Sequence, residues 1–375
     1  MSHRSAHNRT MRFLHTADWQ IGMAAAHAGE AASRIRQARV DSARRVLEAA
    51  REHSVEFIIL AGDTFEHNGL SRAAVAEIVR LLAAAHCPIF LIPGNHDPLQ
   101  PGSVWDHPAW AAATNVNILR EPRPITLAGG MLFPCPIMRK RSDHDPTAWI
   151  PNETGGGIRV GIAHGNTGDL ISEGGYPIAF DAATRAGLDY LALGHWHSTT
   201  LFTSLGAVHM AYSGTHETTR FGELDSGNAL LVDIPKPGSA PVVTKLRTGT
   251  LVWEQISETI TEQGKLADIS RSLNAIPDAS NRLVEVNISG LLFERECEEL
   301  DRIRHASARF LYARIQDVGL RPAPDDDDWI RILPAGVIRE AAERLRGLAS
   351  TAGEQGAVAT QALRELYAIH SEVRP

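Results

Sequence analysis

The stretch Pro93-Gly94-Asn95-His96-Asp97 follows the apolar run Ile89-Phe90-Leu91-Ile92, which predicts a short buried strand. The glycine permits a sharp turn that an ordinary residue would resist, so the three polar side chains after it can converge where the strand ends. On its own, this pentapeptide also fits a turn whose polar side chains face only solvent. The ends of the other predicted strands distinguish the two interpretations.

Four other apolar stretches end in polar residues of the same kind. Met11 to His15 leads to Asp18 and Gln20, Glu56 to Ala61 leads to Asp63, Arg159 to Ala163 leads to His164, and Tyr190 to Leu193 leads to His195 and His197. In an open α/β sheet, the carboxyl ends of the strands border the crevice where ligands bind. We therefore expect these side chains to share one site with residues 95–97.

The order of the predicted elements indicates an α/β fold. Helices over Arg34 to His53 and after a capping Ser71 alternate with the first strands. The strands near Ile125, Met131 and Val208 have no helices between them. We therefore expect a layered core of two mixed sheets flanked by helices.

A chain of 375 residues is long enough for two domains. The segment Pro235 to Pro241, rich in proline and glycine, is the best candidate for a linker. We predict a first domain at 11–234 that carries the site, a smaller α+β cap at 242–328, and a C-terminal helical pair at 334–374. Within the pair, two apolar stripes are expected, one of Ile338, Ala341, Leu345 and Leu348, the other of Val358, Ala362, Leu366, Ile369 and Val373.

The composition, with 43% hydrophobic and 22% charged residues, is that of an ordinary soluble globular protein. No apolar run approaches the roughly 18 residues of a membrane helix, and residues 1–10 lack the apolar core of a secretory signal. Cys87, Cys135 and Cys297 lie far apart, which favours reduced thiols and a cytoplasmic location. A net charge of −7 argues against nucleic-acid binding by bulk charge, although metal ions can still hold a phosphate.

The polar residues at the strand ends form a mixed set of oxygen and nitrogen donors: Asp18, Asp63, Asn95, His164, His195 and His197. Such a set suits manganese, iron or zinc better than calcium, which prefers oxygen ligands alone. His195 and His197 are two residues apart, so in extended backbone both project to the same side. A single histidine of this kind is more often structural, but this many convergent donors favour a metal centre.

The sequence blocks that carry these residues resemble the signature blocks of the calcineurin-like metallophosphoesterases. In chain order, they are Asp18-Trp19-Gln20, Gly62-Asp63, Gly94-Asn95-His96-Asp97, His164-Gly165 and Gly194-His195-Trp196-His197. The run from Gly94 to Gly102, with Ser213-Gly214-Thr215 and Phe221-Gly222-Glu223, further resembles the SbcD-type bacterial DNA repair exonucleases. That resemblance implies a nuclease subunit whose complex also contains an SMC-like ATPase.

The resemblance implies two divalent metal ions, manganese in preference to iron or zinc. One ion would be held by Asp18, Gln20, Asp63 and His197, and the other by Asp63, Asn95, His164 and His195. Two such ions can bind the scissile phosphate and lower the pKa of a water between them. His96 would hydrogen-bond the phosphate and protonate the leaving group, because imidazole titrates near the working pH.

One position departs from the resembled family, which usually carries histidine where this chain has Gln20. A neutral amide oxygen is a weaker ligand for these ions than imidazole. We therefore expect the first ion to bind loosely or to prefer manganese over zinc, unless Gln20 points away and water takes its place. Glu66 and His67, shortly after Asp63, are candidates for supporting contacts around the ions, with an exposed loop as the alternative.

The sequence thus predicts a two-metal phosphodiesterase that hydrolyses DNA, as an exonuclease or endonuclease in repair. A small-substrate phosphatase or nucleotide phosphodiesterase of the same superfamily is one alternative, and a weakly active metal-bound scaffold is another. The predicted partners are DNA and an SMC-like ATPase docked on the C-terminal stripes, with a homodimer left open and no membrane. Alternatively, the stripes pack on one another. Arg139-Lys140-Arg141 are candidate DNA contacts, although a solvated loop is the favoured interpretation.

Overall fold

The computed structural model describes residues 10–153, 157–168, 175–204, 206–293, 296–323 and 327–373. The chain divides into two compact units, Met1–Leu251 and Val252–Pro375. Among the helices described, none combines the length and the apolar character that crossing a membrane requires.

The first unit is built from strands and a few helices that cover them. Its strands are β1 (Met11–Thr16), β2 (Phe57–Ala61), β3 (Ile89–Ile92), β4 (Val116–Ile118), β5 (Ile125–Leu127), β6 (Gly130–Pro134), β7 (Ile158–His164), β8 (Asn166–Thr167), β9 (Pro177–Ile178), β10 (Tyr190–Gly194), β11 (Thr200–Ser204), β12 (Ala207–Tyr212), β13 (Asn228–Ile234) and β14 (Val242–Arg247). Its α-helices are α1 (Ala32–Glu52), α2 (Arg72–Ala83) and α3 (Ala182–Arg185). As predicted, Ser71 caps α2, because its hydroxyl accepts a hydrogen bond from the N–H of Ala74.

These strands form two mixed six-stranded sheets, and the predicted fold class is confirmed. The first sheet has the order β14-β13-β1-β2-β3-β4, with β1 to β4 parallel and β13 antiparallel to both of its neighbours. The second has the order β11-β12-β10-β7-β6-β5, with four central parallel strands and antiparallel edges. β8 and β9 form a separate two-stranded pair.

The two sheets pack face to face through an apolar layer that includes Phe13, Ile59, Ile162 and Tyr190. On its other face, the first sheet is covered by α1 and α2, and the second by α3. All five residues of β2 are buried for this reason, which explains its unbroken apolar sequence.

The structure differs from the sequence-based expectation at the end of the first unit. Residues 228–234 form β13, a strand that the sequence analysis does not include, and residues 242–247 pair with it as β14. The segment 235–241, interpreted above as a domain linker, therefore connects two neighbouring strands of one sheet. Proline and glycine punctuate a tight connection as readily as a linker, so composition alone cannot separate the two cases.

The second unit begins with a parallel three-stranded sheet in the order β15-β16-β17, formed by β15 (Val252–Ile260), β16 (Arg282–Leu292) and β17 (Tyr312–Pro322). The helices α4 (Lys265–Ala275) and α5 (Cys297–Ser307) connect these strands. Helix α5 begins at Cys297, and residues 294 and 295 shortly before it lie outside the described residues.

The second unit ends in α6 (Trp329–Ile332), α7 (Val337–Ala349) and α8 (Glu354–Val373). Here the helices pack through Ile330, Leu333, Ala342 and Leu363, and Leu345 and Leu366 of the predicted stripes pack against this cluster. Five of the described stripe residues are exposed: Ile338, Ala341, Leu348, Val358 and Ile369. The side chain of Val373 lies outside what the structure describes.

Candidate metal centre

The polar residues of the site follow the carboxyl ends of neighbouring parallel strands. In the first sheet, β1, β2 and β3 lead to Asp18, Asp63 and Asn95. In the second sheet, β7 ends at His164 and β10 leads to His195. Because parallel strands end at the same edge of a sheet, the chain brings these side chains together from positions far apart in sequence.

The backbone at this edge is unusual in conformation. Asp18, Gln20, Asp63 and His195 have positive φ angles of 54°, 41°, 49° and 107°, a region that costs a non-glycine residue about 1–2 kcal/mol. Hydrogen bonds hold the two loops of the first sheet against each other, from Asp18 N–H to the Gly62 carbonyl at 3.1 Å and from Gln20 N–H to the Asp63 carbonyl at 2.9 Å. Strain of this kind is typical of functional sites.

Close approach of backbone to the site requires glycine at two positions. A Cβ at Gly94 would lie 2.1 Å from Asp63 Oδ1, and a Cβ at Gly62 would lie 2.3 Å from His164 Nδ1. The Pro93–Asp97 stretch therefore needs glycine at position 94 because Asp63 packs directly against its backbone, whereas Gly94 has no positive φ that would require glycine.

One half of the site is a tight cluster of donor atoms. A ligand atom from each of Asp63, His164 and His195 lies within 4.8 Å of the other two. Asn95 Oδ1 lies 2.8 Å from His164 Nε2 and 2.8 Å from His195 Nδ1, and Asp63 Oδ2 lies 3.3 Å from His164 Nε2.

The chemistry of this cluster fits a divalent cation. The N–H at Nδ1 of His164 donates to the Ala61 carbonyl at 2.9 Å, so in a neutral ring the lone pair of Nε2 faces the oxygens of Asn95 and Asp63. Such a convergence of acceptors needs a positive charge among them. Without a metal a proton supplies it. Burial acts to lower the pKa of His164, but the charge and hydrogen bond of Asp63, together with the charge of Asp18 and the Ala61 carbonyl, outweigh burial and raise the pKa to about 9. A metal ion would take the place of that proton.

The other half of the site contains Asp18, Gln20 and His197. Both carboxylate oxygens of the buried Asp18 lie 3.0 Å from the N–H of His195, and burial raises the pKa of Asp18 to about 6 against the lowering effect of the nearby histidines. Gln20 is only 3% exposed. A buried amide of this kind remains able to ligate an ion.

Asp63 interacts electrostatically with residues of both halves, with His164 in one and with Asp18 in the other. Burial acts to raise its pKa, but the charge and the hydrogen bond of His164 outweigh burial and hold the pKa well below its usual range. Asp63 is therefore ionised, as a carboxylate that bridges two cations must be.

Glu223 orients His197 and is a residue to which the sequence analysis gives no role. The N–H at Nδ1 of His197 donates to Glu223 Oε1 at 2.7 Å, which leaves Nε2 as the ring atom available to an ion. Glu223 is itself held by the N–H of Thr219 at 2.7 Å. The only sequence signal for Glu223 was the resemblance of the Phe221–Glu223 block, because a single loop carboxylate carries no pattern of its own.

His96 lies beside the ligand cluster with about a third of its side chain exposed. Its backbone N–H donates to Asp63 Oδ1 at 2.8 Å, and the N–H at Nδ1 donates to the Glu66 carbonyl at 3.0 Å. The side-chain carboxylate of Glu66, whose Oε1 lies 3.6 Å from Nδ1, raises the pKa of His96 to about 9 in spite of partial burial. Glu66 thus makes the supporting contact expected of it, whereas His67 is exposed and bonds to the N–H of Gly69.

Asp97 does not join the site, which corrects the expectation that all three polar side chains at 95–97 converge. Its carboxylate accepts the N–H of Gly94 at 2.7 Å and the N–H of Phe65 at 2.9 Å. Asp97 is fully buried. It stabilises the turn because its carboxylate accepts hydrogen bonds from these two backbone N–H groups, which would otherwise be buried without a partner.

A cleft of about 430 Å³ opens next to His195 and His197. It is also lined by Asn166, Trp196, Ser198 and the loop Arg220 to Glu223, and 71% of the Arg220 side chain is exposed. The predicted basic triplet Arg139–Arg141 is exposed and does not line this cleft.

Comparison with known proteins agrees with this geometry. The model of the calcineurin-like phosphoesterase family matches residues 11–199. An uncharacterised metallophosphoesterase, YhaO of Bacillus subtilis strain 168, is 25% identical over 67% of this chain, and the match spans 64% of YhaO. The SbcD subunit of the nuclease SbcCD of Escherichia coli K12 is 24% identical over 80% of this chain and 88% of its own length. Among solved structures, TT1561 of Thermus thermophilus is 11% identical with a TM-score of 0.42, covering 64% of this chain and all of TT1561.

Proposed function

This chain belongs to the calcineurin-like phosphoesterase family, and from that premise we propose that it is a two-metal phosphodiesterase that hydrolyses DNA. The observation that carries the proposal is the convergence of Asp63, His164 and His195 within 4.8 Å, with His96 next to them. The similarity to a subunit of the SbcCD nuclease along 80% of this chain supports DNA as the substrate and repair as the setting.

In this proposal, the two ions bind in the two halves of the site. One is held by Asp18, Gln20, Asp63 and His197, and the other by Asp63, Asn95, His164 and His195. Manganese is the preferred metal, because the neutral oxygens of Gln20 and Asn95 suit it better than they suit zinc. When bound, such ions supply Lewis-acid activation of water and neutralise charge on the phosphate.

His96 is proposed to protonate the leaving oxygen of the DNA strand. Its Nδ1 is occupied by the Glu66 carbonyl, which leaves the partly exposed Nε2 edge for the substrate. The same contact fixes the orientation of the imidazole ring, so the side chain of His96 loses little rotational freedom when the substrate binds.

The cleft beside His195 and His197 supports a polymeric substrate over a small one. It continues from the ligands past Trp196 to the exposed guanidinium of Arg220, a donor suited to a backbone phosphate next to the scissile one. A phosphomonoester has no neighbouring phosphate and would need no contact with Arg220.

The C-terminal helices support an SMC-like ATPase as the partner. α7 and α8 leave a groove of about 460 Å³ lined mainly by Leu345, Leu348, Val358, Ala359 and Ala362, of which Leu345 also packs against the cluster that joins the helices. We propose that the coiled coil of the ATPase occupies this groove, and that residues 252–323 form a cap that selects DNA ends.

A manganese-dependent assay tests the activity. Linear duplex DNA, single-stranded DNA, bis-p-nitrophenyl phosphate and p-nitrophenyl phosphate are offered in parallel, with Asp63→Asn as the blank. We expect DNA and the diester to be cleaved and the blank to be inactive. Cleavage of the monoester alone would instead support the small-substrate phosphatase, and manganese uptake without any cleavage would support a scaffold.

A further inference from the structure

Arg39 on α1 is a charged residue buried next to the candidate metal centre. Only 1% of it is exposed, which is rare for arginine. Its Nη2–H donates to the carbonyl of Trp19, the residue between Asp18 and Gln20. Arg39 therefore contacts the backbone of the loop that presents Asp18 and Gln20, two of the proposed ligands.

Trp19, Arg39 and His216 form a closed ring of contacts, which we call the Trp19–Arg39–His216 cluster. The Trp19 and His216 rings stack with their centroids 5.0 Å apart, and His216 Nε2–H donates to the Arg39 carbonyl at 2.7 Å. All three residues are buried. The cluster thus holds the Asp18–Gln20 loop at two points of Trp19. His216 stacks on its ring, and Arg39 binds its backbone carbonyl.

Stability alone is a poor explanation for this arginine. Two of its guanidinium nitrogens, Nε and Nη1, have no hydrogen-bond partner among the described residues. Burying a charge without pairing its donors is costly, and an apolar side chain of similar size would avoid that cost. What an apolar side chain could not supply is the hydrogen bond to the Trp19 carbonyl.

That carbonyl lies where the backbone needs support. Asp18 and Gln20, on either side of Trp19, both have positive φ, of 54° and 41°. Residues in this region persist only when their surroundings hold them there. The N–H groups of Asp18 and Gln20 are held by the Gly62 and Asp63 carbonyls, and Arg39 holds the carbonyl between them.

We propose that Arg39 is a positioning residue that keeps the Asp18–Gln20 loop in the conformation in which both side chains reach the same ion. The inference rests on the proposed function, because it assumes that Asp18 and Gln20 are ligands. Arg39 itself touches neither ion nor substrate.

The direction in which the metal affinity changes when Arg39 is replaced distinguishes positioning from simple electrostatics. Removing a buried positive charge near a cation site would by itself tighten the binding of the cation. Loss of the hydrogen bond to Trp19 lets the loop relax, so that two donors no longer converge. Residues that orient metal ligands typically change the affinity by about 10- to 100-fold when they are replaced. Weaker binding is therefore a result that the loss of the charge alone does not produce.

Manganese binding by the full-length protein, measured by isothermal titration calorimetry without substrate, tests the inference. We expect two ions in the wild type. In Arg39→Met, we expect one of them to bind about 10- to 100-fold more weakly and the other to be unchanged. Two ions bound with wild-type or higher affinity in Arg39→Met would overturn the proposal, as would uptake of fewer than two ions by the wild type.

Arg159→Met is the matched control. Arg159 is also buried, at 6% exposed, but its guanidinium donates to carbonyls of Gly187, Pro151 and Ala186 around the second sheet. We expect this variant to lose thermal stability and to bind both ions as the wild type does. An equal loss of one ion in Arg159→Met would show a general effect of destabilisation and would refute the role of Arg39.

Arg39→Lys keeps the inference testable if Arg39→Met does not fold. Lysine retains the charge but lacks the planar fork and is shorter, so it should also weaken one ion, without the opposing electrostatic gain. Unchanged binding in a folded Arg39→Lys would count against positioning. Manganese uptake by the wild type without cleavage of any phosphodiester would refute the proposed function and leave this test of Arg39 valid.

Discussion

His96 is the residue whose replacement distinguishes a catalyst from a metal-bound scaffold. Its side chain contacts Glu66 and borders the ligand cluster without being one of the proposed ligands. We expect His96→Ala to lower kcat on DNA by about 10²- to 10⁴-fold, the usual contribution of a general acid, with manganese content unchanged. Steady-state kinetics and metal analysis of the purified variant check this.

His67→Ala is the control for that variant, because His67 is a nearby but exposed histidine in the same loop as Glu66. It should cleave DNA at the wild-type rate. Equal kcat values for His96→Ala and the wild type would rule out His96 as the acid.

Gln20 allows a test of ligand identity at the level of one atom. Replacing its amide oxygen by an imidazole nitrogen should shift the preference of the site from manganese toward zinc, because zinc favours nitrogen ligands. Competition titrations of Gln20→His with the two metals measure this ratio. Gln37→His, at an exposed position of α1, should leave the ratio unchanged. A Gln20→His ratio equal to that of the wild type would mean that residue 20 does not ligate.

At the scale of elements, the exposed apolar stripe on α8 makes a prediction about the partner. Val358 lines the groove between α7 and α8 and is 62% exposed. We expect Val358→Asp to fold normally but to lose co-purification with the ATPase, because a charge in the groove would have to be desolvated on binding. Val337→Asp is the control, since Val337 is exposed outside the groove. Unimpaired co-purification of Val358→Asp would contradict docking at this groove.

The elements also show where sequence reasoning succeeds and where it fails. Strands that are buried on both faces, such as β2 and β3, have unbroken apolar runs, so their ends and the polar residues after them could be predicted. The placement of β13 beside β1 could not, because pairing between strands far apart in sequence leaves no local signal. The same reason hid Arg39 and Glu223, whose roles depend on contacts with loops distant in the chain.

Asp97 shows the corresponding limit at a turn. The sequence predicts that residues 95–97 are polar and follow a strand, but not which side chains face the ligands. The backbone N–H groups of Gly94 and Phe65 decide this, because they donate hydrogen bonds to Asp97 and turn its side chain into the interior. The local sequence pattern therefore predicts where the candidate site lies. Backbone hydrogen bonding decides which of the polar side chains face it.

For the first unit as a whole, His15 links stability to pH. It lies in β1 and bonds across to Tyr190 and Leu193 of the second sheet, and burial lowers its pKa to about 3. Because the unfolded chain takes up this proton near pH 6.5 and the folded protein does not, the contribution is complete above pH 6.5 and is lost as the pH falls toward 3.

Urea denaturation at pH 7 and pH 5 measures this contribution. His15 alone should lower the free energy of unfolding by about 2 kcal/mol between the two pH values. In His15→Gln, which has no proton to gain, the change with pH should be smaller by that amount. The same pH dependence in variant and wild type would show that His15 is not buried in its neutral form.

The position of β1 inside the first sheet also bears on how the protein is made. β1 pairs with β2 on one side and with β13 on the other, where Arg12 meets Asp233, 221 residues later in the chain. A ribosome that adds about 5–20 residues per second needs roughly 10–40 s to synthesise that interval. One edge of β1 therefore remains unpaired until β13 has been synthesised. We expect a nascent chain that ends before β13 to need chaperones, rather than metal, to avoid aggregation.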